Sequence, residues 1–284
     1  MEASSTCGKC SASPRPTVSC GLCAQAVCKF CRAEESVKLY STAVPGLYTV
    51  CKDCHIRVHQ LEALLATEQL VWGRTSPRGK RWFEACGAQR LSLQTRDTVY
   101  TYSSLSADDS DMDMIEKDVA FGRTDPNTFH WEYSELIHRI CDLSVSKAAY
   151  RDPIMRVLKA VCCRNGDTGY CQGLNFVVSW LLMFMDENAA FWVLTKIIVD
   201  VLVPGFYKGD RTGNSLNGFY IESGVIASFL ENFNPSYQRT GLPSLEFSDF
   251  FSLQLLIQLF VDSTDLASCI FLWDQLVSEG VSPI

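Results

Sequence analysis

Eight cysteines crowd into the first 54 residues, as the pairs Cys7/Cys10, Cys20/Cys23, Cys28/Cys31 and Cys51/Cys54. A CxxC turn aims two thiolates at one point, so four pairs complete two tetrahedral sites of four sulfurs, the ligand set of structural zinc. Nine, four and nineteen residues separate successive pairs. Four residues between the second and third pairs cannot comfortably enclose a separate site. The first and third pairs are therefore expected to share one Zn ion and the second and fourth the other, in a cross-brace. The segment 1–58 has few large apolar groups, so it is expected to need metal in order to fold. MEASSTCGKC has no apolar core of signal-peptide length, which points to an intracellular chain with reduced thiols, where patterned cysteines hold metal.

The remainder is a different kind of sequence. At 284 residues, 47% of them hydrophobic, the chain has room for one large domain besides the small one. Its net charge of −7 is uneven: residues 1–70 hold 7 Lys/Arg and 6 Asp/Glu, residues 71–284 hold 18 and 26. So acidic a body argues against nucleic acid as a partner. The longest apolar stretch, Phe176 to Met185, is broken by Ser179 and closed by Asp186. That is about half of what a bilayer requires, so it reads as a buried helix and the chain as lacking a transmembrane segment.

Helical spacing organises most of this second part. In HIRVHQLEALLATEQLVW, Val58, Leu61 and Leu65 fall on one face, giving a linking helix over 59–72. Ser76 and Pro77 start a helix containing Trp82, and the basic cluster Arg74, Arg78, Lys80 and Arg81 reads as solvated charge. Residues 103–113, SSLSADDSDMD, read as a loop. From Glu132 onward LIHRICDL, IMRVLKAVCC, LNFVVSWLLMF, AAFWVLTKIIVDVL, VIASFLENF, FSLQLLIQLFV and LASCIFLWDQLV all carry the helical period, with loops expected at Pro204–Asn217 and Pro235–Pro243. The fold class is mainly α: an all-helical domain over 73–284 behind a small cross-brace finger.

Within GDTGYCQGLNFVVSWLLMF, Gln172 follows the turn and cap residues Gly166 to Gly169 and is expected in the first turns of an apolar helix, a place from which a side chain can face a ligand. Four stretches, RGKRWFEACGA, IEKDVAFGRTDPN, GYCQGLNFV and CIFLWDQLVSEG, occur in the order in which the TBC family carries them, so residues 78–280 resemble that family. The resemblance implies a GTPase-activating protein for Rab GTPases in vesicle traffic. An arginine delivered in trans supplies positive charge to the transferred phosphoryl group, worth on the order of 10³ to 10⁵ in rate. A glutamine amide, donor and acceptor at once, positions the attacking water. GTP and Mg belong to the partner.

By that resemblance Gln172 is the catalytic glutamine, with Tyr170 and Gly173 shaping its turn and Asp118 matching the family's aspartate. The family's arginine position holds Phe121, and Arg123 follows two residues late, so a two-residue expansion before the finger is the simplest alignment. Alternatives are a TBC adaptor that binds a GTPase without activating it and a scaffold whose finger is the working half. Cys171 as a nucleophile has no histidine in a protease context beside it. Where the family shows Trp-Phe this chain has Leu255-Leu256, expected in the core. GVSPI follows soon after Trp273-Asp274, where the family continues, which implies truncation at the C-terminus.

CGLCAQAVCKFC with LYTVCKDC resembles the second half of a FYVE-type finger, a family that binds a phosphoinositide through a basic, histidine-containing stretch. PRPTVSC occupies that place here, with Arg15 and no histidine. The resemblance thus implies a degenerate finger with a protein or membrane partner, and a chain that is cytoplasmic or peripheral on endosomal or other vesicle membranes.

Overall fold

The computed structural model describes residues 3–5, 7–11, 15–42, 44–95, 109–120, 125–141, 147–166, 168–207, 216–234, 239, 253 and 255–278. The finger is built from short antiparallel strands. β1 (Ala3–Ser5), β2 (Arg15–Ser19) and β3 (Ala26–Cys28) form one sheet in that order, while β4 (Val37–Leu39) and β5 (Gly46–Tyr48) form a second. Cys51 then caps the long helix α1 (Lys52–Glu68), its sulfur accepting from the Cys54 amide. The linking helix therefore starts inside the finger, at its last CxxC pair, and ends four residues before Trp72. A polar N-cap fixes that start more strongly than the apolar period could reveal.

Helices make up the body: α2 (Pro77–Ala85), α3 (Ala88–Gln94), α4 (Asp109–Ala120), α5 (Trp131–Ile140), α6 (Lys147–Arg164), α7 (Leu174–Phe184), α8 (Glu187–Lys196), α9 (Asn217–Phe233) and α10 (Leu266–Ser278). Ser76 caps α2 through the Gly79 amide, with Pro77 in the first turn, as the sequence indicates. The eleven residues of α7 rise about 16 Å, half a bilayer core. Apart from Phe176, they are buried in protein. No helix among the described residues is long and apolar enough to cross a membrane.

Two expectations fail. Asp109 to Asp113 belong to α4 rather than to a loop, because the acid-rich run finds a partner elsewhere in the chain, as shown below. The stretch FSLQLLIQLFV is not a continuous helix: residues 257–263 turn, with Leu259, Phe260 and Asp262 at φ of 48°, 68° and 61°. Its apolar residues satisfy a core without the helical backbone. Leu255 and Leu256 are half-buried. Of the two loops, residues 208–215, 235–238 and 240–243 lie outside the described residues, and Asn217 opens α9.

The body's core centres on Trp82, Trp180 and Trp273, with ring centroids 5.6 Å apart for Trp82–Trp273 and 6.1 Å for each of the other pairs. Trp82 donates its indole N–H to Asp274 at 2.7 Å, and Arg78 pairs with the same carboxylate. Arg78 also meets Glu68, through its backbone amide at 2.9 Å and its Nε at 3.1 Å, and Arg81 reaches Glu68 at 3.2 Å. Arg78 is thus a tie between α1, α2 and α10 rather than solvated charge, while Arg81 meets Glu68 from a largely exposed position. The Arg-Gly…Trp and Trp-Asp stretches, nearly 200 residues apart, meet in one partly buried polar contact.

The finger is not suspended on a tether. Its core of Val27, Val37, Leu39, Val50 and Val58 packs against Trp131 at the start of α5. On the next turn Glu135, fully buried, accepts from the amides of Tyr40 and Ser41, each at 2.9 Å, and from Arg139 Nε at 2.8 Å. Arg139 in turn donates to the Lys38 carbonyl at 2.8 Å and stacks 4.8 Å from the Tyr40 ring. Arg57 of α1 pairs with Glu132 at 2.6 Å, and Glu132 also accepts from the Leu266 amide that opens α10. Glu135→Ala would leave Arg139 and two amides without their acceptor. We predict a loss on the order of 3 kcal/mol in urea unfolding; a loss under about 1 kcal/mol would mean that this carboxylate does not anchor the finger.

Candidate functional site

The eight cysteines assemble as the spacing implies. Cys7, Cys10, Cys28 and Cys31 form one group, Cys20, Cys23, Cys51 and Cys54 the other, with ligand atoms in each within 4.8 Å of one another. Cross-pair sulfurs lie 3.9 Å apart for Cys10–Cys28 and 4.0 Å for Cys23–Cys51. That is close to the separation of about 3.8 Å for two thiolates at tetrahedral angles around one ion. Backbone amides prepare the charge. The amide of Cys28, followed by those of Cys10 and Lys9, lowers the Cys7 thiol to about 6. At Cys20 burial raises the thiol, but the amides of Cys23, Cys51 and Leu22 outweigh it and bring it to about 7. Their partners move the other way: hydrogen bonding to Cys10 and burial push Cys31 to about 12, and burial with Cys51 pushes Cys54 higher still. Four thiolates so close cannot all stay charged alone, and either group could hold a metal ion that compensates them.

A second constellation surrounds Gln172. The residue is exposed and lies in the turn before α7 rather than within its first turns. Gly173 follows at φ 115°, and a Cβ there would lie 2.5 Å from Ile257 Cγ2, so neither the backbone nor the space admits a side chain. The Gly173 amide donates to the buried Asn175 side chain at 3.1 Å, while Tyr207 donates its hydroxyl to the Ile257 carbonyl at 2.9 Å. The strained turn of residues 257–263 thus backs the glutamine turn. Tyr170, two residues before Gln172, is buried and donates its hydroxyl to Asp118 of α4 at 2.8 Å. Burial, reinforced by Asp118, drives that phenol far above its ordinary range, so it is a fixed proton donor in the network.

Of the residues singled out from sequence, Tyr170, Asp118, Gly173 and Gln172 therefore come together. Arg123 lies outside the described residues; α4, five positions before it at Asp118, is joined to the glutamine turn. Cys171 is no nucleophile, because burial raises its thiol to about 12 and leaves it protonated at neutral pH. Sequence reading missed Asp111, Tyr207 and Ile257. Asp111 stands seven residues before Asp118, two helical turns on the same face, a signal hidden once the acidic run is read as a loop.

A sequence model of the Rab-GTPase-TBC domain matches residues 75–284, about three quarters of the chain. The chain belongs to the Rab-GTPase-TBC domain family. Among curated proteins the TBC chain is similar to the GTPase-activating protein MSB4 of Saccharomyces cerevisiae, 33% identical over 165 residues, covering 56% of this chain and 30% of that protein. It is similar also to the GTPase-activating protein GYP3 of the same yeast, 32% identical over 136 residues, covering 48% and 19%. The TBC chain thus spans less than a third of the length of these relatives. A solved Chlamydomonas flagellar RabGAP TBC domain aligns over 72% of this chain and 75% of its own, at 18% identity and a TM-score of 0.35, too loosely to support an argument.

Proposed function

We propose that this TBC domain accelerates GTP hydrolysis by a Rab-family small GTPase, with Gln172 positioning the attacking water and Arg123 stabilising charge on the transferred phosphoryl group. The observation that carries the reading is the glutamine turn itself. An exposed amide side chain sits on a backbone immobilised by Gly173 against Ile257 and by Tyr170 against Asp118, which limits the entropy lost when the amide engages a ligand. An amide so presented can accept from a water and contact backbone at once. The family membership and the GTPase-activating relatives supply the substrate class. GTP and magnesium are the partner's, and the chain contributes no covalent nucleophile of its own.

Zinc is the metal that best suits two closed groups of four cysteines, a structural donor set without an open position for chemistry. The finger, FYVE-like in ligand order, then serves as a docking module for a protein or a vesicle membrane, and its anchorage on α5 gives that docking a fixed orientation relative to the GTPase site. Metal analysis of the purified chain is expected to return about two zinc equivalents; about one would break the cross-brace pairing.

Phe121 at the family's arginine position supports a second reading, a TBC adaptor that binds a GTPase without activating it. Single-turnover hydrolysis by a panel of GTP-loaded Rab proteins separates the two. Under the first reading the wild-type chain accelerates at least one of them, and Arg123→Ala and Gln172→Ala each cost at least a hundredfold in rate with binding retained. Binding without acceleration anywhere in the panel identifies the adaptor.

A further inference from the structure

We propose that Asp111 is a positioning residue for Gln172, clamping the glutamine turn to α4 through the backbone of Tyr170. Two carboxylates of α4 take both polar ends of one tyrosine: Asp111 Oδ1 accepts from the Tyr170 amide at 2.8 Å and Asp118 Oδ2 from its hydroxyl at 2.8 Å. Seven residues of helix separate the two acids, about 10 Å of rise, so the tyrosine is tied along the helix rather than at one point. Asp111 is 9% exposed, and its oxygens lie 3.1 and 3.3 Å from where a Cβ on Gly169 would sit. Gly169 has φ 61°, so its lack of a side chain admits both the turn and the carboxylate. From Gly169 to Gly173 the path is then fixed on two sides, by Asp111 before Gln172 and by Ile257 after it.

The functional consequence follows from chain order. Asp118 precedes Arg123 by five residues, and Tyr170 precedes Gln172 by two. Holding Tyr170 at both ends on α4 therefore ties the segment leading to the arginine to the segment bearing the glutamine, as two groups serving one phosphoryl transfer require. Asp111 touches neither nucleotide nor water in this account; it acts through the Tyr170 amide. The inference rests on the reading of Gln172 as the GTPase-facing glutamine.

The test compares wild type, Asp111→Ala and Asp111→Asn in hydrolysis by the Rab protein that wild type accelerates best, with Tyr170 amide exchange measured in parallel. Asparagine retains an acceptor at Oδ1. The expected result is at least a tenfold lower kcat for Asp111→Ala with KM for the Rab protein within twofold, near-wild-type kcat for Asp111→Asn, and faster Tyr170 exchange in the alanine variant alone. An unchanged kcat, or a loss carried by KM, overturns the proposal. Should Asp111→Ala fail to fold, Asp111→Glu moves the carboxylate by one methylene; it is expected to lose kcat, and wild-type kcat there overturns the proposal. Should wild type accelerate no Rab protein, the catalytic reading falls, and Tyr170 exchange decides the clamp: protection lost in Asp111→Ala upholds it and protection retained removes it.

Discussion

An ionised carboxylate taken out of water must find donors, and in this chain it finds them largely on the backbones of distant segments. Glu135 accepts from the finger at Tyr40 and Ser41, Glu132 from the start of α10 at Leu266, Glu68 from the start of α2 at Arg78, and Asp111 from the glutamine turn at Tyr170. Each bond satisfies an amide and fixes the register of two elements, far apart in sequence in every case but that of α1 and α2, and each leaves a costly orphan if either partner moves. Part of the acidic excess of the body is thus internal joinery. The finger, the tryptophan core and the glutamine turn are all located by it.

That joinery gives the two halves of the molecule a mechanical relation. α1 begins on Cys51, one of the second group of four cysteines, and ends beside Arg78, whose partner Asp274 also holds Trp82. α5 begins on Trp131 against the finger's core and carries Glu132 and Glu135 to two different partners. The finger and the helical body are thereby held in one orientation relative to each other.

The chemistry-bearing patterns were the most legible in sequence. Four CxxC pairs with a four-residue gap leave one sensible pairing, and Cys7/Cys10/Cys28/Cys31 with Cys20/Cys23/Cys51/Cys54 is what assembles. Helical period located most of the body because α5, α6, α7 and α8 each bury an apolar face. The failures have one cause, tertiary partners overriding local pattern. Asp109 to Asp113 look like solvated loop until Asp111 is seen capping Tyr170, and FSLQLLIQLFV looks helical until Ile257 is seen filling the space that Gly173 leaves open. Glu135 showed in sequence at most a helical pairing with Arg139, since its other partners are backbone amides 94 and 95 residues away.

The central claim is that Gln172, on its immobilised turn, completes a partner's phosphoryl-transfer site together with Arg123. Affinity for the transition state tests this most directly, since a group that acts there must bind it more tightly than the ground state. The measurement is the dissociation constant of the chain for a Rab protein loaded with GDP and aluminium fluoride, against the same protein loaded with GDP alone. The account predicts binding tighter by at least about a hundredfold with aluminium fluoride, the low end for transition-state analogues, and loss of that difference in Gln172→Ala. Equal affinity for the two states would contradict it.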